Sequence, residues 1–352
     1  MSAVALTLLF LSGKLGLVQR PRALNKKTNG ASIMLKSLVL MTGLLCSVLG
    51  LAQTPTFPTH PVRVFVGFAP GSGPDIQAHT VAQQLTLALN QPFYVENRLG
   101  ANGTIAARSV AASNADGYTL LFSSSSISST PYIYKNLGFD LLSDLKAVAS
   151  VGILDGMLVL VDAKSPIKSI AELIEVSKKE RLMYGSPGVG NIIHLATEMF
   201  AQKAAITLEH IPYKGASEVM TGLLGGSIQM MIVTPPSVLT LVNEGRVRAL
   251  AFTGSKPFAP LPNVPLLKDL VTGFEPMGSW GIFFAPSKTP KPVLDKLNAA
   301  IRESLTVPAV ATIMQRDGYF PDNRNAPETS LFFQGEVARM KEAVKAAKIE
   351  PM

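Results

Sequence analysis

A strand, a glycine-rich loop and a helix recur in that order along this chain, and this rhythm constrains the fold more than any other feature. Residues 62–68 alternate and are rich in β-branched side chains, which predicts a strand. A glycine-rich loop follows, and residues 76–89 then carry apolar side chains at helical spacing. Strands at 93–96 and 118–123 flank a second helix at 103–112. This order is typical of a parallel sheet with helices on both faces, so the predicted fold class is α/β.

The same rhythm restarts near residue 170 and continues to residue 252, which predicts a second lobe. A chain of 352 residues is long enough for one large domain or two linked ones. We expect lobe 1 to comprise residues 53–157 and 281–352, and lobe 2 to comprise residues 158–280, with a ligand cleft between them.

Two apolar extended segments lie between the predicted lobes, at residues 157–161 and 280–285. We interpret them as paired crossovers, the second of which returns the chain to lobe 1. Trp280 is then either a packing residue of the hinge or a platform for a ligand. Helices predicted at 290–305 and 327–347 should pack on lobe 1.

The formal charge of +8 does not indicate a nucleic-acid-binding protein, because the charge is unevenly placed. Six of the 32 Lys and Arg residues precede residue 53, where no Asp or Glu occurs. The remaining 26 basic residues face 24 acidic ones, and a near-neutral body has no electrostatic footprint for a phosphate backbone.

The N-terminal stretch reads as a targeting signal. Residues 34–52 have one positive charge, an apolar core and a small-residue exit, as in a secretory signal peptide. Residues 1–33 then represent an over-extended start, with Met34 as the initiator; the alternative is a separate anchor at residues 4–18. Cys46, the single cysteine, is alternatively a lipid acceptor. The expectation is an exported, soluble protein of the periplasm, whose body has no disulfide.

The motifs of common enzyme classes are absent from the sequence. It contains no G-x-S-x-G nucleophile elbow, no phosphate-binding P-loop and no G-x-G-x-x-G fingerprint. The four histidines are scattered, without a pair at metal-ligand spacing. We therefore expect no catalytic residues, no metal and no cofactor, and we predict that the protein is not an enzyme.

Three loops share one design, in which a strand ends and a Gly/Ser-rich loop opens a helix: residues 69–75, 123–130 and 186–191. Glycine lets the main chain approach a ligand closely, and free N–H groups at a helix start attract a carboxylate or phosphate. In a parallel sheet these loops meet at the carboxyl ends of the strands. The three loops together predict an anion-binding cleft.

Several short motifs occur in a fixed order along the chain: Phe68-Ala69-Pro70-Gly71-Ser72-Gly73-Pro74-Asp75, Val95-Glu96-Asn97-Arg98, Ala115-Asp116-Gly117-Tyr118-Thr119-Leu120, Tyr184-Gly185-Ser186-Pro187-Gly188-Val189-Gly190, Pro212-Tyr213-Lys214-Gly215, Ala285-Pro286, Thr289-Pro290 and Lys296-Leu297-Asn298. Over residues 58–350 the chain resembles the Bug-type receptors of tripartite tricarboxylate transporters. The resemblance implies a two-lobe, type II-like periplasmic-binding-protein fold. It also implies a small carboxylate held by main-chain amides and ordered water, then delivered to membrane permease subunits by a monomeric receptor.

The resemblance and the loops together predict ligand contacts from the following residues: Ala69, Pro70, Gly71, Ser72, Gly73, Asp75, Ser123, Ser124, Ser125, Ser126, Ser186, Gly188, Gly190, Asn191, His194, Tyr213, Lys214 and Thr234. Some of these have alternative roles. His194 either contacts the ligand or caps a helix, and Tyr213 and Lys214 either clamp a carboxylate or form a turn.

Two departures from the family pattern bear on the ligand. Pro74 stands where the family usually has Thr, and residues 230–236 lack the Asp-Asn pair that the family favours after its Met-Met strand. If the family aspartate faces an amine, this chain has lost that partner, which favours a mono- or dicarboxylate over an amino acid. Two other functions stay open: a receptor that signals to a sensor domain, and an exported enzyme on the same fold.

Overall fold

The computed structural model describes residues 57–352. The predicted signal peptide at 34–52, the initiator Met34 and Cys46 lie outside these residues. The strands are β1 (Val62–Val66), β2 (Phe93–Asn97), β3 (Thr119–Ser124), β4 (Leu145–Leu154), β5 (Leu158–Asp162), β6 (Leu182–Ser186), β7 (Leu208–Pro212), β8 (Met230–Val233), β9 (Val247–Phe252), β10 (Ser279–Pro286) and β11 (Tyr319–Pro321).

The helices alternate with these strands through most of the chain: α1 (Gly73–Leu89), α2 (Thr104–Ala111), α3 (Thr130–Ile133), α4 (Ile170–Lys179), α5 (Ile192–Lys203), α6 (Ala216–Leu224), α7 (Leu239–Asn243), α8 (Leu267–Leu270), α9 (Lys291–Ser304), α10 (Pro308–Arg316) and α11 (Ala326–Ala346). Short 3₁₀ turns lie at Ala101–Gly103, Ser125–Ser129 and Pro235–Ser237. Local signals explain several helix starts. Asn325 and Glu328, for example, form a reciprocal capping box that begins α11.

The first sheet has the strand order β11-β4-β10-β3-β1-β2. Strand β1 pairs in parallel with β2 and β3, whereas β10 is antiparallel to β3 and β4. Buried apolar side chains of α1, α9 and α10 cover one face, and those of α2 and α11 cover the other. Because both faces are covered, the central strand β3 is buried along its whole length.

The second sheet has the order β7-β6-β8-β5-β9. Strand β6 is parallel to β7 and β8, and β5 is antiparallel to β8 and β9. Side chains of β5 alternate between two cores: Val159 and Val161 pack with α4 and α5, while Leu158 and Leu160 pack with α6. The fold is therefore α/β with two covered sheets, and both sheets are mixed rather than purely parallel.

The interpretation of residues 157–161 and 280–285 as paired crossovers is wrong. The first segment forms most of β5 inside the second sheet, and the second lies in β10 inside the first sheet. Both are continuously apolar because their strands are buried on both faces. The chain instead crosses between the sheets over residues 155–157 and returns over residues 253–278. The exact lobe boundaries at 157, 158, 280 and 281 stay a prediction.

The buried side chain of Thr253 links the two crossing segments. Its Oγ1 accepts a hydrogen bond from the Met157 amide at 2.8 Å and donates one to the Met277 carbonyl at 2.6 Å. Its backbone also pairs with both methionines, at 2.9 and 3.0 Å. One threonine therefore holds the outgoing and returning segments together.

The C-terminal helix α11 spans both lobes. Phe333 and Val337 pack under the first sheet, whereas Met340 and Val344 join the core of the second. The prediction that this helix packs on lobe 1 is therefore incomplete, because the helix also packs on lobe 2. Trp280 is 3% exposed, contacts Phe333 edge to face and donates from Nε1 to Glu336 at 3.0 Å. It packs between the first sheet and α11.

Candidate functional site

A cavity of about 430 Å³ lies where loops of the two sheets face each other. Most of its wall comes from loops that follow the carboxyl ends of β1, β2, β3, β6, β7 and β8, as expected for an α/β fold. The side chains and backbone that line it belong to Gly67, Phe68, Ala69, Ser72, Gly73, Pro74, Leu99, Gly100, Ala101, Asn102, Ser124, Ser126, Tyr134, Pro187, Gly188, Asn191, Ile192, Ile193, Tyr213, Lys214, Gly215, Ala216, Thr234, Ser237, Ser279 and Tyr319.

The structure brings ten of the predicted contact residues to this wall: Ala69, Ser72, Gly73, Ser124, Ser126, Gly188, Asn191, Tyr213, Lys214 and Thr234. The others lie behind the wall or beside it: Pro70, Gly71, Asp75, Ser123, Ser125, Ser186, Gly190 and His194. Several members of this second group hold the loops in shape, as the hydrogen bonds below show. Their contact with a ligand stays a prediction.

Asp75 fixes the loop between β1 and α1. Its carboxylate is buried and accepts hydrogen bonds from the Gly71 amide at 2.8 Å and from Asn97 Nδ2 at 2.7 Å. Gly71 has φ +75°, a backbone region that favours glycine. Since the Gly71 amide already has a partner, the free N–H groups here are those of the first turn of α1, at Gly73 and Asp75.

Three amides of the loop between β6 and α5 have local hydrogen-bond partners. The Gly188 amide donates to Ser186 Oγ at 3.3 Å, the Asn191 amide to the Gly188 carbonyl at 3.3 Å, and the Gly190 amide to His194 Nδ1 at 2.9 Å. These three N–H groups therefore shape the loop. His194 lies behind it and positions the Gly190 peptide.

A stack of two imidazoles supports this loop from behind. The rings of His194 and His210 lie 3.9 Å apart and nearly parallel, and His210 Nε2 is 2.6 Å from Ser186 Oγ. Burial lowers the pKa of His194 to about 3, with a further contribution from His210, and burial lowers the pKa of His210 to about 4.

Glu198 lies close enough to His194 to favour a charged ring, with Oε1 3.8 Å from Nε2. That carboxylate, however, already accepts a hydrogen bond of 2.5 Å from the Tyr184 hydroxyl, whose pKa is raised mainly by burial. Desolvation therefore outweighs the attraction, and both imidazoles are neutral at neutral pH. The neutral form fits the geometry, since His194 Nδ1 must accept the Gly190 N–H.

The loop after β6 also contacts the first lobe directly. Asn102 Nδ2 donates to the Val189 carbonyl at 2.6 Å, and Ser129 Oγ donates to the Gly190 carbonyl at 2.7 Å. The Ile192 amide donates to Ser126 Oγ at 3.2 Å. These hydrogen bonds join the two sides of the cavity, so the structure shows the lobes in contact across it.

The electrostatics of the cavity favour an anion. Among the described residues that line it, Lys214 is the only one with a charged side chain. The starts of α1 and α6 and of the 3₁₀ turn at Ser125–Ser129 also lie at the wall, and their first N–H groups have no partner within their own helices. The wall is otherwise neutral, with several aromatic and aliphatic side chains.

Sequence reasoning missed several wall residues, notably Asn102, Tyr134, Ser237 and Tyr319. Asn102 belongs to the glycine-rich stretch Leu99-Gly100-Ala101-Asn102-Gly103, which follows β2 as the three recognised loops follow their strands. The rule that identified those loops applies equally to this one. Tyr319 reaches the wall from a distant strand, and no local sequence signal indicates this.

A family model described as the tripartite tricarboxylate transporter family receptor, TctC, matches residues 77–349. The chain belongs to this receptor family. The TctC assignment confirms the resemblance found in the motifs, and it makes the chain a solute-binding receptor of a transporter family.

Two relatives match most of the chain. A UPF0065 protein of Bordetella bronchiseptica is 33% identical over 317 residues, which cover 90% of this chain and 94% of the relative. Protein BugT of Bordetella pertussis is 32% identical over 316 residues, which cover 88% and 96%.

Solved structures of periplasmic binding proteins have the same architecture. Rpa4515 of R. palustris, solved with adipate, is 29% identical with a TM-score of 0.80, and the match covers 84% of this chain and all of that one. BugD gives 30% identity, a TM-score of 0.80 and the same coverage. MatC of Rhodopseudomonas palustris, with bound malate, is 26% identical with a TM-score of 0.76, covering 82% of this chain and 100% of MatC. These likenesses confirm the predicted two-lobe binding-protein fold.

Two further observations concern residues 57–352. Within that range, no three His, Cys, Asp or Glu side chains are grouped so as to hold a metal ion. No helix in the described part of the chain combines the length and apolar character needed to cross a bilayer.

Proposed function

We propose that this TctC receptor binds a small mono- or dicarboxylate in the cavity between its sheets and delivers it to the membrane permease subunits of a tripartite tricarboxylate transporter. The receptor works in the periplasm, as a monomer, after export by the signal peptide expected at residues 34–52. The relatives with bound adipate and malate support a small carboxylate as the ligand class.

The observation that carries this proposal is the charge of the cavity wall. Lys214 and several helix starts present positive charge or free N–H groups to the cavity, and the described wall contains no Asp or Glu side chain. A carboxylate gains both charge attraction and hydrogen bonds in such a cavity. An ammonium group would meet no carboxylate there, which disfavours amino acids.

Thr234 supports the same conclusion. It follows the Met-Met strand β8 and lines the cavity, with its Oγ1 2.9 Å from where a side chain on Gly73 would begin. It therefore lies directly opposite the start of α1. At this place the wall offers a neutral hydroxyl, which is compatible with a carboxylate or a hydroxyl group but does not neutralise an amine.

Binding is tested by thermal-shift screening of the purified protein against mono- and dicarboxylates and amino acids, followed by calorimetry. A ligand at 100 times its Kd should raise the stability by about 2.7 kcal/mol. A screen in which amino acids stabilise the protein and carboxylates do not would overturn the proposed ligand class.

Lys214 provides the matched variant. Its side chain is exposed at the cavity, so Lys214→Ala should weaken carboxylate binding by about tenfold or less, because exposed ion pairs contribute modestly. Lys168→Ala, an exposed lysine of the same lobe outside the wall, should leave the Kd unchanged. Complete loss of binding in Lys214→Ala would instead indicate that one salt bridge supplies most of the affinity.

Transport is tested separately in cells that carry the permease subunits. Uptake of the labelled ligand should require the receptor gene and should return when the gene is restored. Uptake that continues unchanged after deletion would contradict the transport role while leaving the binding result intact.

A further inference from the structure

Three buried polar atoms at the cavity wall have no hydrogen-bond partner within the described part of the chain: Ser72 Oγ, Asn102 Oδ1 and Ser237 Oγ. Ser72 is 9% exposed and Asn102 8%. Buried polar groups are normally paired, and an unpaired one reduces stability. Their common position at one cavity indicates that a ligand supplies the missing partners.

The orientation of Asn102 determines what that partner must be. Its Nδ2 donates to the Val189 carbonyl at 2.6 Å and lies 3.4 Å from the Tyr134 hydroxyl, so its Oδ1 is the unpaired atom. Gly188, which also lines the cavity, lies beside this buried oxygen; a Cβ on Gly188 would be only 3.2 Å from it. An amide oxygen accepts hydrogen bonds and cannot donate. An ionised carboxylate cannot satisfy it, because it has no hydrogen to give.

The remainder of the wall is mostly apolar and aromatic. Phe68, Tyr134 and Tyr319 contribute rings, and Leu99 and Ile193 contribute aliphatic surface. Burial raises the pKa of both tyrosines, so their hydroxyls are neutral. Such a lining accommodates a flat apolar body, which gains both buried area and ring contacts.

Charge and size narrow the ligand further. Lys214 is the single charged side chain in the described lining, so a second carboxylate would find no cationic side chain to balance its desolvation. The cavity of about 430 Å³ has room for roughly 14 water volumes at ~30 Å³ each. That space is sufficient for a phenyl ring with a short acid chain.

We propose that this receptor binds a hydroxyaryl monocarboxylate: one carboxylate, an aromatic body, and a hydroxyl that donates to Asn102 Oδ1, with Ser72 and Ser237 as the other unpaired polar groups of the same cavity wall. This inference rests on the proposed function and names the chemical class of its ligand. The carboxylate binds near Lys214 and the helix starts, and the ring packs against the aromatic side chains of the wall. The hydroxyl donates a hydrogen bond to Asn102 Oδ1.

Calorimetry on the purified protein compares matched probes. The first series is hydroxyphenylpropanoate with the hydroxyl at the ortho, meta or para position. The second is the corresponding fluorophenylpropanoates, in which fluorine replaces the hydroxyl at similar size without a hydrogen to donate. Adipate is the third probe, with a second carboxylate. The best hydroxyl isomer should bind at least about tenfold more tightly than its fluoro counterpart and than adipate.

A double serine variant then tests the unpaired hydroxyls at the cavity wall. Because Ser72 Oγ and Ser237 Oγ have no protein partner among the described residues, the double variant Ser72→Ala/Ser237→Ala should keep the melting temperature of the ligand-free protein unchanged or raise it. It should weaken binding of the hydroxyl probe by about tenfold and that of the fluoro probe by less than about threefold. Ser150→Ala removes another buried, unpaired hydroxyl that lies outside the wall, and it should change neither Kd.

The outcomes separate this inference from the proposed function. If adipate binds more tightly than every hydroxyl probe, or if hydroxyl and fluoro probes bind equally, the hydroxyaryl class is overturned while the carboxylate receptor stands. Equal weakening of both aromatic probes in the double serine variant would also overturn it. If none of these probes binds and an amine ligand does, the proposed function itself fails.

Discussion

The buried imidazole stack should make the stability of the protein depend on pH in a way that one substitution removes. His194 has a folded-state pKa of about 3, against an ordinary value of 6.5. Between these values the unfolded chain binds a proton that the folded protein excludes, so folding loses stability as the pH falls below 6.5. The contribution of the neutral His194 ring to the free energy of unfolding is fully present above pH 6.5 and has been lost once the pH reaches about 3.

The size of the effect follows from the linkage relation. Between pH 7 and pH 5, a histidine with these two pKa values lowers the free energy of unfolding by about 2 kcal/mol. His210 acts in the same direction because its pKa is also lowered, but it contributes less, since more of its ring faces solvent. Carboxylates add their own pH dependence, which is common to the wild type and to a variant at His194.

The assay is urea denaturation at pH 7 and at pH 5 for the wild type and for His194→Gln. Glutamine keeps an oxygen that accepts the Gly190 N–H but does not titrate. Between pH 7 and pH 5, the free energy of unfolding of the wild type should fall by about 2 kcal/mol more than that of the variant. His60→Gln, at an exposed histidine, should behave as the wild type. Equal losses in wild type and His194→Gln would refute the assignment of a buried neutral imidazole at this position.

Three further perturbations test the parts that shape the cavity. Gly190→Ala should weaken ligand binding more than about tenfold by calorimetry, because at φ +73° the new Cβ would lie 2.4 Å from Ile133. The control is Gly226→Ala, where φ is +77° but no atom lies within contact distance of the new Cβ. This control should lower the stability of the fold and leave the Kd unchanged. Thr253→Val should lower the free energy of unfolding by about 2–4 kcal/mol in urea titrations, since it leaves the buried Met157 amide unpaired; a loss below about 1 kcal/mol would contradict the linking role. Asp75→Asn should weaken ligand binding about tenfold by loosening the Gly71 turn, and an unchanged Kd would show that this turn does not shape the site.

The sequence predicted the local elements well because their signals are local. The alternating strand at 62–68 and the helix that follows it appear as β1 and α1, with α1 beginning earlier, at Gly73. The continuously apolar segments were harder to interpret, since a strand buried on both faces and a crossover between lobes have the same composition. Only the pairing partners distinguish a buried strand from a crossover segment, and those partners are distant in sequence. Ile282 in β10, for example, pairs with Ser123 and Ser150.

The same distinction between local signals and distant contacts separates the site residues that could be predicted from those that could not. Loops that follow strands were predicted from glycine and serine content, and their innermost residues do line the cavity. The role of His194 required knowing that its ring lies behind Gly190, and the unpaired oxygen of Asn102 required knowing where Val189 lies. Both facts depend on contacts between separate loops, which composition and spacing do not encode.

The position of Trp280 has a practical consequence for optical measurements. It is the single tryptophan of the 352-residue chain, and its indole is enclosed by the first sheet and by α11, with its N–H bound to Glu336. Tryptophan emission therefore reports whether α11 stays docked, and a ligand in the cavity has no direct contact through which to quench it. A change in emission on ligand addition would be a signal of movement at the C-terminal helix, which links the two lobes.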